Sequence, residues 1–179
     1  TSLQRKGLTA RGFSVDAVEK RRVNRIAHTR EAHRVLIKSA GEEISFLSQH
    51  ELWFLGIALY WGEGGKTNHG MARIANSDPA VIQIMMRFFR EICTVPEAKF
   101  KGHVYTFSHL NAKKAEEYWS NISGIPKQQF YKTYIKPSIA SKNKRDTLPY
   151  GTFQIYVCDT KLFLRIIGWI ERIKELSKI

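Results

Sequence analysis

Acidic residues are scarce in this chain. Sixteen Asp and Glu stand against 29 Lys and Arg, leaving a formal net charge of +13. An imbalance of that size points to a polyanionic partner. Cysteine is nearly absent. Cys93 and Cys158 lie far apart without C-x-x-C spacing, which excludes a disulfide framework and a zinc knuckle and fits a reducing compartment. No apolar run approaches the roughly 20 residues of a membrane span, and the opening TSLQRKGLTARG has no apolar stretch of the secretory kind. The expected location is therefore the cytoplasm. Nucleophile motifs, phosphate-binding glycine loops and a helical H-E-x-x-H are missing, so serine hydrolase, nucleotide-driven and zinc protease mechanisms have no support. His103 and His109 sit on one expected strand, and at about 3.3 Å per residue they stand roughly 20 Å apart, too far to share a metal.

What is present suits a folded domain. The chain has 179 residues, enough for one sizeable core, and its 43% apolar and 25% charged content is that of globular proteins. Residues 1–46 form a basic arm. Ten Lys and Arg up to Lys38 face only Asp16, Glu19 and Glu31, and the apolar stripe through Val18, Val23, Ile26 and Val35 is broken, which predicts a long, solvated helix. Residues 47–179 form the domain. Ser48-Gln49-His50-Glu51 is a capping box, so a helix starts there and runs to Gly64-Gly65, a pair suited to a left-handed cap. MARIAN reads as a strand, Ser77-Asp78-Pro79 as a helix start, and VIQIMMRFFREI as the helix. KFKGHVYTFSH predicts a second strand, Asn111 caps AKKAEEYWSNI, QFYKTYIK and GTFQIYVC predict two more strands, and TKLFLRIIGWIERIKEL closes the chain as a helix. The class is α+β, with a four-stranded antiparallel or mixed sheet packed against helices.

The strands carry a functional signal. In TFQIYVC, Phe153, Ile155 and Val157 share one face, and Thr152, Gln154 and Tyr156 share the other. The same alternation groups Lys101, His103, Tyr105 and Phe107, and groups Lys132, Tyr134 and Lys136. Basic and aromatic side chains interleaved on one sheet face suit phosphate contact and base-edge hydrogen bonding. A second basic run, residues 127–146, contains Lys142, Lys144 and Arg145, and with residues 1–40 of the arm it accounts for +12 of the +13. Double-stranded DNA is the expected partner, with RNA as the alternative that the lack of the aromatic-rich RNP signature of RNA recognition motifs disfavours. Arg73, Lys101, Lys132, Lys136 and Gln154 are expected to meet its groove, and Arg21, Arg22, Arg25, Lys142, Lys144 and Arg145 its phosphates. An acidic protein partner is the competing class. A flat dependence of duplex affinity on salt would favour it.

The segment Gly56-Ile57-Ala58-Leu59-Tyr60-Trp61-Gly62-Glu63-Gly64 adds a chemical possibility. Ala58 and Gly62 are four apart on one helix face, where small residues admit another helix, from this chain or from a second copy. Glu63 ends the helix, where the macrodipole disfavours a carboxylate and invites a cation, either Lys66 or a hard divalent metal. This segment resembles the motif of the LAGLIDADG homing endonucleases and their non-cutting relatives. Ala58 falls on the first glycine of that motif, Gly62 on its second alanine, Glu63 on its second acid and Gly64 on its last glycine, while Trp61 replaces the first acid. ALYWGEGGK and ANSDPAVI also resemble segments of prokaryotic proteins that often place a helix-turn-helix ahead of the basic arm. The resemblance implies a homodimer seamed by Leu55, Ala58, Leu59 and Gly62, with sheets in the major groove. It also implies Glu63 as catalytic metal ligand, with Mg2+ as the cofactor of an endonuclease. A transcription regulator that kept the scaffold without cutting is the alternative. The family follows its motif helix with two consecutive strands. Here a helix follows the first strand, unless another strand lies within GGKTNHGMA.

Overall fold

The computed structural model describes Ser2 and residues 15–67, 70–136 and 148–178. The chain divides into two compact units, Thr1–Leu47 and Ser48–Ile179. Among the described residues no helix is long and apolar enough to cross a membrane.

In the first unit, α1 (Val15–Glu42) is a 28-residue helix whose described side chains are exposed apart from the half-buried Ala17 and Ile26. That is the expected consequence of its broken apolar stripe. Glu19 pairs with Arg22 and Glu31 with Arg34, each at 2.6 Å, and in each pair the guanidinium holds the carboxyl below its ordinary range.

The second unit is α+β. Its helices are α2 (Gln49–Glu63), α3 (Pro79–Arg87, continued by a π-helical turn Phe88–Ile92), α4 (Ala112–Ser123) and α5 (Thr160–Leu176). Its strands are β1 (Ala72–Asn76), β2 (Phe100–Phe107), β3 (Tyr134–Lys136) and β4 (Thr152–Val157). The starts of the helices are written in their caps. Ser48 and Glu51 close the capping box, Asp78 caps ahead of Pro79, and Asn111 and Asp159 accept from Lys114 N and Leu162 N. Lys99, in the 3-10 turn just before β2, pairs with the Asp159 carboxylate at 2.6 Å and ties that turn to the head of α5.

The sheet is mixed, in the order β1-β4-β2-β3. β4 runs antiparallel to both β1 and β2, and β3 runs parallel to β2. Period-two alternation sets its two faces. Ala72, Ile74, Phe100, Val104, Phe153, Ile155 and Val157 are buried beneath the helices with Leu52, Ile57, Ile82, Met85, Phe89, Trp119, Phe163 and Ile166. Trp119 stacks on Phe153 at 5.3 Å, and Phe130 fills the space left by the missing side chain of Gly102. Gly151 enters β4 with φ +64°, and a Cβ there would lie 2.1 Å from Tyr105 O, so both conformation and space require glycine.

Two elements differ from the sequence expectation. Gly64 caps α2 in extended geometry (φ −76°, ψ 151°), not left-handed, because it bridges directly to Ile74 and Gly65 N donates to Arg73 O at 2.9 Å. Extended backbone is what a ladder demands. The expected strand QFYKTYIK contracts to Tyr134–Lys136, since a 3-10 turn occupies Lys127–Gln129 and Phe130 makes one isolated bridge to Gly102. Thr133 then spends its hydroxyl on the Glu116 carboxylate.

Candidate nucleic-acid interface

The helix-free face of the sheet gathers much of the predicted constellation. Register places Arg73, Tyr156 and Lys101 in one row across β1, β4 and β2. Ala75, Gln154 and His103 form the next row, and Thr152, Tyr105 and Tyr134 the third. Lys136 pairs in register with Phe107 at the end of β3. Lys132 is exposed in the gap between the Phe130 bridge and β3, outside any strand.

Charge on this face is one-sided. The four strands contain no Asp or Glu. Arg73, Lys101, Lys132 and Lys136 make no ion pair among the described residues, whereas several cations elsewhere in this unit are partnered, Arg87 with Glu91, Arg90 with Glu97, Lys127 with Glu117 and Arg172 with Glu175. Four cations concentrated without counter-charge leave a positive field at the surface.

Between the cations lies an aromatic floor. The His103 ring packs 4.3 Å from Tyr105 and within about 6 Å of Tyr131 and Tyr156, measured between centroids. Its Nε2 is enclosed and has no hydrogen-bond partner among the described residues. Tyr156 O–H donates to Gln154 Oε1 at 2.7 Å, and the Tyr105 hydroxyl lies 3.0 Å from that of Tyr156. Burial pushes the Tyr156 phenol well above its ordinary range, so it stays protonated. Sequence spacing groups residues within each strand. The Tyr105, Tyr156 and Gln154 chain joins two strands, and Tyr131 enters from the segment between Phe130 and β3, so neither carries a local signal.

Glu63 stands exposed at the end of α2, with no ion pair among the described residues. Lys66 turns instead to the helix terminus and donates to Gly64 O at 3.2 Å. The tip is braced from within. The buried Tyr60 hydroxyl donates to Gly65 O at 2.9 Å and accepts from Arg73 N at 3.4 Å, and the Arg73 side chain lies over Gly65. Arg73 therefore connects the acid-tipped helix to the basic sheet face. No group of three or more His, Cys, Asp or Glu able to hold a metal occurs among the described residues.

α2 is apolar around its whole circumference, yet only one side is buried. Leu52, Gly56, Ile57 and Tyr60 are inside. Phe54 (44% exposed), Ala58, Trp61 (38% exposed) and Gly62 form a stripe open to solvent, with Leu55 and Leu59 half-buried at its edge. The spacing of residues 54, 58 and 61 is the one sequence signal for this stripe, and an all-apolar helix obscures it. In the arm, Arg21, Arg22 and Arg25 are all exposed on α1. Lys142, Lys144 and Arg145 lie outside the described residues.

No family model, curated protein or solved structure matches this chain.

Proposed function

We propose that this protein binds double-stranded DNA in a sequence-specific manner, using the helix-free sheet face as its reading surface. The carrying observation is that the face holds Arg73, Lys101 and Lys136 without a single acid in its four strands, with Gln154 and hydrogen-bonding tyrosines between them. Lysine and arginine fix register on phosphates, and the amide and hydroxyl groups meet base edges. Arg21, Arg22 and Arg25 of the arm, with Lys142, Lys144 and Arg145, add phosphate contacts.

The protein acts as a homodimer joined through α2. Supporting this is an open stripe of Phe54, Ala58, Trp61 and Gly62, large residues flanking small ones so that a second helix can approach closely. Ala58→Arg places a charge in that seam and is expected to convert a sedimenting dimer to monomer. An unchanged sedimentation coefficient would rule the seam out.

The LAGLIDADG-like form of this reading draws support from the α2 tip. The antiparallel bridge of Gly64 to Ile74 makes the segment after the helix a rudimentary first strand of a hairpin with β1, which answers the family's two consecutive strands. With Glu63 as its ligand, Mg2+ would need Glu63 from both subunits for a cutting site, completed by water and phosphate oxygens. The quiet alternative is a transcription regulator on the same scaffold. A plasmid-nicking assay with Mg2+ separates them. Nicking that a chelator and Glu63→Gln both abolish identifies the nuclease, while duplex binding without nicking, unchanged by Glu63→Gln, identifies the regulator.

A further inference from the structure

The hydrogen-bond chain on the sheet face has a direction. Tyr156 has one hydroxyl proton, and it goes to Gln154 Oε1 at 2.7 Å. The 3.0 Å contact between the two phenols is then donated by Tyr105. The sequence of donors runs Tyr105, Tyr156, Gln154, and it ends at the amide carbonyl. The amide NH2 of Gln154 is left without a protein partner among the described residues, on the half-buried central strand β4 and beside His103 and Ala75 in register. In His103, Nε2 is enclosed by the surrounding rings, which leaves only Nδ1 to meet a ligand.

An unconstrained glutamine pairs best with adenine, since it accepts from N6 and donates to N7 through one planar amide. That pairing needs the carbonyl free to face the base. Here the carbonyl is held against Tyr156, and the group left without a partner among the described residues is a pure donor. In the major groove, guanine presents two adjacent acceptors, N7 and O6, whereas thymine offers one acceptor beside a methyl group and cytosine offers a donor.

We infer that Tyr105 and Tyr156 lock Gln154 as an outward hydrogen-bond donor, making it the residue that selects guanine at one position of each half-site. This rests on the duplex-DNA reading above. Tyr156 is a positioning residue, acting only through the orientation of the amide.

The test is selection from a randomised duplex pool by the full chain, with Tyr156→Phe and Gln154→Glu run in parallel. The unmodified chain is expected to enrich guanine about tenfold at one position per half-site. Tyr156→Phe frees the amide to turn, and at that position alone the guanine enrichment falls to about twofold, with adenine gaining. Gln154→Glu keeps the Tyr156 bond but presents an acceptor, and the preference moves to cytosine, whose N4 amino group donates. Adenine preferred by the unmodified chain, or a profile left unchanged by both variants, overturns the inference while leaving duplex binding intact. Should Tyr156→Phe not fold, Gln154→Glu decides alone. Failure of the unmodified chain to retain any duplex removes the DNA reading and this inference with it.

Discussion

Replacing Arg73 and Lys101 together by glutamate is expected to lower duplex affinity about a hundredfold near 100 mM salt, and to make the log-log salt dependence shallower by about 2. The two residues flank Tyr156 in a single row across β1, β4 and β2, and neither has an acidic partner to lose. Their field is thus uncompensated, and each phosphate they neutralise releases condensed counterions. Reversal both removes two attractions and installs two repulsions on the face. Net charge alone would predict a similar loss wherever the reversal is made. The control is therefore Arg87→Glu with Arg172→Glu, which changes total charge equally on helix surfaces where each arginine already faces a glutamate, Glu91 and Glu175. With a Debye length of about 10 Å at this salt, charges distant from the bound phosphates are screened, and the control is expected to cost no more than about threefold. Equal losses for the two double variants would show a diffuse cationic attraction and no reading surface.

The sequence states local facts well and cross-chain facts poorly. The helix expected over TKLFLRIIGWIERIKEL forms as α5 with the same bounds, burying Leu162, Phe163, Ile166 and Ile170. The inside and outside faces of β4 follow from alternation alone. What escapes is whatever depends on a partner segment. β3 is three residues long because Phe130 is drawn over Gly102 and Thr133 is held by Glu116, and neither attraction is visible in QFYKTYIK. Parallel pairing of β3 with β2 is a non-local contact without a turn signature. Gly64 takes extended geometry because Ile74 pairs with it, against the local preference for a left-handed cap. Of the candidate interface, Arg73, Lys101 and Gln154 were legible as outward positions, while the bonding of Tyr105 to Tyr156 required the β2-to-β4 register.

The glycines of α2 supply the second large effect, and they are expected to respond with opposite signs. Alanine at either position gains helix propensity, up to about 1 kcal/mol in a helix interior and less for Gly62 near the helix end. At Gly62 a Cβ meets nothing within 4 Å in the single chain, so Gly62→Ala is expected to raise the urea midpoint of dilute protein with an unchanged m-value. At Gly56 a Cβ would lie 2.0 Å from Phe88 Cδ2. That ring has no exposure, and Phe89 and Trp169 lie against it at 5.5 and 6.2 Å, so it cannot swing clear without displacing the core. Overpacking of this kind outweighs the propensity gain, and Gly56→Ala is expected to destabilise by about 3 kcal/mol. The close helix approach within one chain is therefore made at Gly56, and Gly62 is left free for an external one. If a second copy occupies that space, the advantage of Gly62→Ala shrinks as protein concentration rises, because the new methyl then presses on the partner helix while dissociation becomes coupled to unfolding. A gain that stays constant across concentration would mean that no helix packs against residue 62, and the α2 dimer would have to be abandoned.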